Sequence, residues 1–387
     1  MQSRMGALEE GKESAITTSR TSQSRPFPLR QLQFFVLFLI ICLGASIVSM
    51  YMVRHFGIHH VALVQSNSFK PCFEQPESIE NWIRPPSNLL HTMNDTELFW
   101  RATFVPRIKS YPLKRTRKIA FMFLTKGPLP MAPLWERFFS GHEGLYSIYV
   151  HSLPSYTANY SPSSVFYGRQ IPSQVAEWGM MSMCDAERRL LANALLDISN
   201  EWFILLSESC IPLQNFSIVY RYISRSWYSF MGSFDEPGPY GRGRYSEHMA
   251  PEVNLSDWRK GSQWFEISRE LAVRIVEDTT YYPKFKQFCT PHGCYVDEHY
   301  FQTMLSINTP QLLANRSLTY VDWSRGGAHP ATFGKDDIKE EFFKRILEEQ
   351  TCLYNNQPST LCLLFARKFA PNALDPLLEI ASKVFRI

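Results

Sequence analysis

The chain has 387 residues, of which 45% are hydrophobic and 14% aromatic, so it can bury at least one large core. Its formal net charge is only +4, and its basic residues are spread along the sequence except for one run at 114–118. We predict that this run is a solvated turn, and the weak overall charge argues against a nucleic-acid-binding protein.

The N-terminal segment predicts a membrane anchor. Residues 1–33 are polar, rich in Ser and Thr and without periodicity, which indicates a disordered tail. Residues 34–53 are twenty consecutive uncharged residues, enough to cross the hydrocarbon core of a bilayer. The run continues past Ala45 and Ser46, small residues at which a signal peptide could be cleaved, so we predict an uncleaved signal anchor.

Flanking charge and glycosylation sequons orient this anchor. The basic residues near it are Arg20, Arg25 and Arg30 on the N-terminal side and Arg54 and Lys70 on the other side. This excess predicts a type II protein whose N-terminus lies in the cytosol. A luminal domain is also favoured by five Asn-x-Ser/Thr sequons, which are candidate glycosylation sites: Asn94, Asn159, Asn215, Asn254 and Asn315.

Seven cysteines follow the anchor: Cys72, Cys184, Cys210, Cys289, Cys294, Cys352 and Cys362. Their spacing lacks the second cysteine pair or the histidine pair of a zinc site. We therefore predict disulfides with one thiol left free, as expected for a protein of an oxidising compartment.

The remaining sequence predicts a stem followed by one globular domain. Residues 54–116 carry scattered prolines and few periodic runs, which indicates a stem that also wraps the first part of the domain. Within residues 117–387, buried-type apolar runs alternate with amphipathic segments. The predicted strands are 118–125, 146–151, 165–167, 201–207 and 318–323, and the predicted helices are 133–139, 182–197 and 339–349. This alternation predicts an α/β fold around a mostly parallel central sheet.

Ligands of such sheets bind outside the carboxyl ends of the strands. The residues at the ends of three predicted strands are therefore site candidates by position. They are Thr125, Lys126, His151, Ser207 and Glu208.

The stretch from Gly261 to Ser306 contains the main candidate for a catalytic group. It begins as a strand that runs into a helix, and a second helix is predicted to start with Asp297 as its N-cap residue. Glu298 then lies in the first turn, where the helix dipole favours an ionised carboxylate that suits a general base. Taken alone, the local pattern favours the plainer alternative, an acidic residue that only decorates a helix start.

Residues 232–245 form a loop rich in Gly and Pro that also contains acids, arginines and tyrosines. Proteins commonly hold sugars with carboxylates on the hydroxyls and aromatic rings on the C–H patches, so this loop is a candidate sugar-binding segment. An ordinary surface loop explains the composition equally well.

Several common catalytic motifs are absent from the sequence. It has no P-loop, Gly-x-Gly-x-x-Gly turn, Gly-x-Ser-x-Gly elbow or His-Glu-x-x-His motif. The acidic pairs Asp235-Glu236 and Asp336-Asp337 lack the Asp-x-Asp spacing, so we predict no metal site. Fixed cations can instead offset the charge of a leaving diphosphate, and Arg325 and Lys368 are the natural pair. Each of these two alone is more often a surface or helix-cap cation.

Several blocks, taken in order, resemble a known family. These blocks are residues 203–212, 261–270, 296–299 and 364–369. Their order resembles that of the core-2/I-branching β-1,6-N-acetylglucosaminyltransferases, glycosyltransferase family 14. Two segments are similar to those of the plant branch: Asp-Trp-Ser-Arg-Gly-Gly at 322–327 and Phe-Ala-Arg-Lys-Phe at 365–369. The resemblance covers roughly residues 118–380.

The resemblance implies a GT-A-type fold and a type II topology in the Golgi membrane. It also implies inverting transfer of a sugar, N-acetylglucosamine or another, from a UDP-sugar to a glycan or glycoprotein hydroxyl without a metal ion. Residues 207–209 differ from those of the animal enzymes, so the donor sugar stays open. The alternatives are an inactive sugar-binding or scaffolding protein on the same fold and a metal-dependent transferase that uses Asp235-Glu236. A hydrolase is a weaker alternative, because no second carboxylate is obviously paired with Glu298.

The resemblance also implies residue roles. The catalytic base falls on Glu298, and the diphosphate cations fall on Arg325 and Lys368. A donor-side residue falls on Asp185, and the contact to the nucleoside falls on His151. The acceptor-binding positions of the family correspond to Glu236, Arg242 and Arg244.

Overall fold

The computed structural model describes residues 29–52, 54, 85–86, 88–104, 111–289, 293–348 and 350–387. The chain divides into two compact units, residues 1–78 and residues 79–387. Residues 1–28 of the predicted tail and Cys72 of the predicted stem lie outside the described residues.

The described part of the first unit is dominated by helix α1, Leu29–Met52. The stretch Leu32–Met52 has a mean hydropathy of 2.5 and is not buried. Among the described residues, it is the one helix that is long and apolar enough to cross a membrane. The prediction of an N-terminal apolar helix is confirmed, and the helix is consistent with a membrane anchor.

The second unit contains nine further helices and nine strands in its described residues. In chain order these are α2 (Asp95–Ala102), β1 (Lys118–Leu124), α3 (Ala132–Phe139), β2 (Tyr146–His151), α4 (Met181–Leu195), β3 (Asn200–Ser207), β4 (Ile211–Pro212), α5 (Phe216–Ser224), β5 (Glu266–Ser268), α6 (Arg269–Glu277), α7 (Tyr282–Phe288), α8 (Tyr300–Asn308), β6 (Thr319–Val321), α9 (Glu340–Glu348), β7 (Cys352–Tyr354), β8 (Gln357–Ser359), β9 (Phe365–Arg367) and α10 (Leu374–Val384). Short 3-10 turns at 242–244, 247–249, 296–298, 310–312, 335–337 and 371–373 connect some of them.

The central sheet has the strand order β2–β1–β3–β5. Strand β1 pairs in parallel with both β2 and β3, whereas β5 pairs antiparallel with β3. Phe121 and Phe123 of β1 enter one hydrophobic core, and Ala120 and Met122 enter the other. Burial on both faces explains why this strand is a continuous apolar run and not an alternating one. The predicted α/β fold with a mostly parallel sheet is confirmed.

Helices cover both faces of this sheet. Side chains of α3, α5, α9 and α10 contribute to the core on one face, and side chains of α4, α6, α7 and α8 contribute to the core on the other. Helix α2 adds Leu98 and Ala102 to the second core. In addition, Arg189 of α4 donates two hydrogen bonds to Asp95, at 2.8 and 2.7 Å. This part of the predicted stem therefore packs against the globular unit.

A smaller sheet brings distant segments of the chain together. Its strand order is β4–β9–β6, with Ile211 paired to Ala366 and Thr319 paired to Phe365. The N–H of Phe369 also donates to the carbonyl of Ser209, at 3.0 Å. The residues that follow β3 therefore lie beside the residues that follow β9, although more than 150 positions separate them in the sequence.

The predicted strand at 165–167 is wrong. These residues form a turn that leads into Gly168, whose φ is +65°. The edge of the sheet is extended instead by the next residues, since the N–H of Val150 donates to Arg169 and the N–H of Ile171 donates to Val150, both at 2.9 Å. Phe166 is buried within the turn, and so short an apolar run cannot distinguish a strand from a turn that packs inward.

The cysteine prediction is correct in part. Disulfides join Cys289 to Cys294 and Cys352 to Cys362. The expectation of one free thiol is wrong, because Cys184 and Cys210 are both unpaired and buried. These two residues pack as small apolar side chains in different hydrophobic cores, so neither needs a partner.

Four of the sequon asparagines are exposed, and Asn215 is half-buried. Asn94 and Asn215 are the N-cap residues of α2 and α5, and in both the side-chain oxygen accepts the capping hydrogen bond. A glycan would be attached to the amide nitrogen, which does not take part in that bond. Glycosylation at the five sequons stays a prediction.

Glu266 gives the fold a testable pH dependence. Its carboxylate is fully buried in β5, and burial raises its pKa to about 8 from an ordinary value of about 4.5. The folded state therefore holds a proton that the unfolded state releases between these two values. We expect the free energy of unfolding to fall by about 1.4 kcal/mol for each pH unit in this window on account of Glu266.

The variant Glu266→Gln removes this dependence. Compared with the wild type, it should lose less stability between pH 5 and pH 8 in thermal or denaturant unfolding of the purified protein. Other buried acids are shared by both proteins and cancel in the difference. Glu341→Gln, on the exposed face of α9, is the matched control and should follow the wild type. Parallel stability curves for Glu266→Gln and the wild type would show that Glu266 is ionised in the folded protein.

Candidate active site

Basic groups gather where β1, β3 and β9 end. Lys126 follows β1. Arg367 is the last residue of β9, and Lys368 comes directly after it. Burial lowers the pKa of Lys368, and the neighbouring charges of Arg367 and Lys126 lower it further, while Glu208 after β3 opposes them. The pKa of His329 is also lowered, by burial first and then by Lys368, Lys126 and Arg367. These four basic groups therefore act on one region, where an anion would relieve their mutual repulsion.

Arg367 is held in place beneath this region. Its guanidinium lies 4.1 Å from the centre of the Trp264 ring, and burial lowers its pKa. The thiol of Cys210 and the carboxylate of Glu208 raise the pKa of Arg367 and so oppose the effect of burial. Its Nε has no hydrogen-bond partner among the described residues, so its charge is only partly compensated by the protein.

Glu298 lies in a 3-10 turn, Val296–Glu298, and not in the predicted first turn of an α-helix. Tyr295 precedes the turn with a φ of +53°, and α8 begins only at Tyr300. The predicted N-cap role of Asp297 is therefore wrong, and Asp297 is buried instead. The side chain of Glu298 is 25% exposed. The carboxylate is thus accessible to a ligand, although the local structure differs from the prediction.

One oxygen of Glu298 is paired with cations. Its Oε2 accepts a hydrogen bond from Nη1 of Arg244 at 2.8 Å and lies 3.9 Å from Nζ of Lys260. Arg244 also lies over the ring of Tyr295, at 4.4 Å, and within 5.7 Å of the ring of Tyr240. Within the described part of the chain, no hydrogen bond to the second oxygen, Oε1, is formed. The arrangement orients the carboxylate and leaves Oε1 available to accept a proton.

Asp297 and His299 flank Glu298 but are buried. Burial raises the pKa of Asp297 to about 7, and the charge of Glu298 adds to the effect. Burial lowers the pKa of His299 to about 3, and this ring stacks on Trp258 with centroids 4.5 Å apart. Nδ1 of His299 is 2.7 Å from the carbonyl oxygen of Arg259, so the neutral ring is held in one orientation. Of the three neighbours, Glu298 is the one that faces solvent.

Trp178 connects the basic region to the Glu298 turn. Its ring centre is 4.8 Å from that of Tyr295 on one side and 4.8 Å from that of His329 on the other. The charge of Arg367 also acts on the carboxyl of Asp297. A chain of ring contacts therefore links Tyr295, which precedes the Glu298 turn, to His329, whose pKa is influenced by Lys368.

The loop 232–245 contributes one of its three predicted residues to this site. Arg244 pairs with Glu298, as described above. Arg242 instead donates two hydrogen bonds to Asp235 on the surface, at 2.7 and 2.6 Å. Glu236 turns back into the loop, where its carboxylate accepts a hydrogen bond from the N–H of Gly238 at 2.9 Å.

The other predicted donor residues occupy separate places. His151 is buried at the end of β2, where burial lowers its pKa to about 4 and its Nε2 accepts a bond from the N–H of Gln174 at 3.4 Å. Asp185 in α4 accepts a hydrogen bond from the hydroxyl of Tyr282 at 2.8 Å. Arg325 is exposed after β6. In the described ranges, none of the three forms a hydrogen bond or ion pair with Glu298 or Lys368.

Sequence reasoning missed several residues of the site. Lys126 was a candidate by position only, and Arg367 was noted beside Lys368 without a role. Lys260 and Trp178 lie in segments without periodicity or motif, and Tyr295 lies directly before the block 296–299 without a role of its own. Only the fold brings Lys260 close to Glu298 and Trp178 close to Tyr295.

Gly179 is the position in this part of the site where a side chain would be strained and would crowd Tyr295. Its φ is +77°, and a Cβ atom there would lie 3.0 Å from Cδ1 of Tyr295. We expect Gly179→Ala to lower the free energy of unfolding by more than the roughly 1–2 kcal/mol of the left-handed backbone alone. Thermal or denaturant unfolding of the purified protein measures the effect.

The matched control is Gly168→Ala. Gly168 has a similar φ of +65°, but a Cβ atom there meets nothing within 4 Å. It should therefore show the backbone cost without the steric cost. Equal losses in the two variants would mean that Tyr295 does not pack against residue 179.

Comparison with known proteins agrees with this architecture. A sequence model of the Core-2/I-Branching enzyme family matches residues 119–347, which include three strands of the central sheet in full, the loop 232–245 and the Glu298 turn. The chain is also 36% identical over 309 residues to the protein named Glycosyltransferase BC10 from Oryza sativa subsp. japonica, an alignment that covers 68% of this chain and 76% of the rice protein. The GT-A-like fold of the family is the fold predicted above. The chain therefore belongs to the Core-2/I-branching family of glycosyltransferases, and its resemblance is to the plant members.

Proposed function

We propose that the protein is an inverting, metal-independent glycosyltransferase that moves a sugar from a UDP-sugar to a hydroxyl of a glycan or glycoprotein. The observation that carries the proposal is the presence of both a carboxylate with one free oxygen, Glu298, and a region of only partly compensated positive charge around Lys368. These are the two chemical functions that such a transfer needs on opposite sides of the reacting carbon.

Glu298 is the proposed general base. Its Oε1 takes the proton from the acceptor hydroxyl while that oxygen forms a bond to the anomeric carbon of the donor sugar. The bond from this carbon to the diphosphate oxygen breaks in the same step, and UDP leaves with the bonding electrons. Attack from the side opposite to the leaving group inverts the anomeric configuration, through an oxocarbenium-like transition state. Arg244 is the proposed positioning residue, since it holds Oε2.

The basic region is the proposed diphosphate site. Lys368, Arg367 and Lys126 would offset the charge that develops on UDP, and the neutral ring of His329 could donate a hydrogen bond to it. Arg325 remains a proposed donor cation, on the exposed turn that leads from β6 towards His329. His151, at the end of β2, and Asp185, near the start of α4, remain proposed contacts on the nucleoside side of the donor.

The acceptor side is proposed around the loop 232–245. Arg244 pairs with the Glu298 carboxylate, and the exposed ring of Tyr240 lies 5.7 Å from the Arg244 guanidinium. Glu236 and Arg242 remain proposed acceptor-binding residues, although their side chains bind Gly238 and Asp235 in this structure. An acceptor that engages them would have to compete with these contacts.

Metal independence is supported by the carboxylates that the structure describes. No three His, Cys, Asp or Glu side chains of the described residues converge as cation ligands. Asp235 is bound by Arg242, and Glu236 is bound by the N–H of Gly238. Asp337 accepts from the N–H of Gly334, at 2.7 Å. Three of the four carboxylates in these acidic pairs, Asp235, Glu236 and Asp337, therefore have other partners.

A Golgi location, with the catalytic domain in the lumen, is part of the proposal. It is supported by helix α1, by the two disulfides and by the exposed sequons. The rival function, an inactive sugar-binding or scaffolding protein, would leave UDP-sugars intact. Release of UDP from a panel of UDP-sugars, with and without glycan acceptors, separates the two.

The first prediction of this proposal concerns Glu298. Glu298→Gln should lower kcat by about 10²- to 10⁴-fold, because it removes the general base but keeps the shape of the side chain. Titration calorimetry should find the Kd for UDP unchanged. The exposed Glu341→Gln is the control and should keep full activity. A folded Glu298→Gln protein with wild-type turnover would contradict the role of this residue.

The Lys368→Ala variant tests the other half of the site. It should raise the Kd for UDP, because it removes a cation from the diphosphate region. Lys344→Ala, on the exposed surface of α9, is the matched control and should leave UDP binding unchanged. Equal UDP affinity in the Lys368→Ala and Lys344→Ala variants would place the diphosphate elsewhere.

A third prediction concerns divalent cations. Turnover of the preferred UDP-sugar should be the same in excess EDTA as in buffers with Mg²⁺ or Mn²⁺, because fixed side chains supply the positive charge. The measurement is UDP release by the dialysed full-length protein in detergent. A strict requirement for Mn²⁺ would instead favour a metal-dependent transferase and would redirect attention to Asp235 and Glu236.

A further inference from the structure

Trp178 has an unusual environment for a large aromatic residue. It precedes α4, and its indole contacts the rings of Tyr295 and His329, each with a centroid distance of 4.8 Å. Even so, 47% of its surface is exposed. Two ring contacts hold the indole in place, while about half of it remains uncovered. A fixed and accessible aromatic surface of this kind is suited to a ligand with an apolar face.

The two neighbouring rings belong to opposite halves of the site. Tyr295 lies under Arg244, which pairs with Glu298. His329 lies within the field of Lys368, Lys126 and Arg367. Trp178 therefore spans the interval between the proposed base and the proposed diphosphate site.

The transferred sugar must occupy this same interval. During the reaction, its anomeric carbon lies between the attacking acceptor oxygen and the departing phosphate oxygen. One face of a pyranose ring carries C–H groups, which pack well on an aromatic surface. The π-electrons of indole also attract the positive charge that develops on the ring in an oxocarbenium-like transition state. Side chains with a positive charge at this position would oppose that charge.

We propose that the exposed surface of Trp178 is the platform on which the transferred sugar of the UDP-sugar stacks. This inference rests on the proposed function, and it adds a subsite for the pyranose ring between the base and the diphosphate. Tyr295 and His329 fix the indole and do not themselves bind the sugar. Gly179 permits the close approach of Tyr295 that completes the support.

The platform predicts a difference between two ligands that share the nucleotide. UDP should bind equally well to the wild type and to Trp178→Ala, because it has no sugar ring. The UDP-sugar that the wild type prefers should bind roughly 3- to 10-fold more weakly to Trp178→Ala, the range expected for one stacked aromatic contact. Trp178→Phe keeps an aromatic face and should recover part of the loss. Titration calorimetry of the full-length protein in detergent measures both ligands without any need for turnover.

Trp227→Ala is the matched control, because Trp227 is another exposed tryptophan and lies outside the site. It should bind both ligands as the wild type does. The inference is overturned if Trp178→Ala weakens UDP and the UDP-sugar by the same factor, or if it changes neither. It is also overturned if the wild type gains no affinity from the sugar of any UDP-sugar in the panel.

Failure of the proposed function has a different signature. In that case the wild type releases no UDP from any UDP-sugar with any acceptor. The Glu298→Gln variant then shows the same UDP release and the same UDP binding as the wild type. The comparison of UDP with UDP-sugar binding still reports on Trp178, because it does not depend on catalysis. A sugar-dependent loss in Trp178→Ala would then identify the platform in an inactive sugar-binding protein.

Discussion

The ion pair between Arg244 and Glu298 is the contact on which the organisation of the site depends. It joins a loop rich in glycine and proline to a 3-10 turn 54 residues further along the chain, and it is largely shielded from solvent because only 11% of the Arg244 side chain is exposed. A partly buried, charge-assisted hydrogen bond fixes direction better than an exposed one. The Arg244–Glu298 pair therefore fixes the direction of the second carboxylate oxygen of Glu298. It also fixes the position in space of the C-terminal end of the loop 232–245.

Burial divides the ionisable groups around this pair into two classes. Asp297, Glu187 and Glu266 are buried acids whose pKa values are raised, so they favour the neutral form near neutral pH. Glu298 keeps access to solvent. On the other side of Trp178, the basic groups repel one another and are only partly offset by Glu208. Glu298 thus keeps an accessible carboxylate, while the positive charge around Lys368 is only partly offset, and the proposed transfer of a sugar from a diphosphate requires both of these features.

Much of the fold could be predicted from periodicity, because continuous apolar runs such as 118–125 are typical of strands covered on both faces. Strand β2 begins and ends at the predicted residues, and helix α4 differs from its prediction by one or two residues at each end. The turn at 165–167 and the 3-10 turn at Glu298 were not predictable, since both depend on positive or irregular backbone angles that tertiary contacts stabilise. The same holds for Trp178, whose ring contacts lie more than 110 residues away in the sequence. The local sequence pattern identifies the helices and strands. The approach of Tyr295 and His329 to Trp178 follows only from the way these elements pack around the sheet.

The disulfide between Cys289 and Cys294 closes a short loop that ends one residue before Tyr295. Closing that loop restricts the conformations available to the segment that leads into the Glu298 turn. The position of the Glu298 turn is therefore coupled to the oxidation state of the surroundings in which the chain folds. We expect protein made in a reducing cytosol to adopt the same overall fold, but without the disulfide that restrains this segment. An oxidising compartment would thus supply the covalent link that precedes the Glu298 turn.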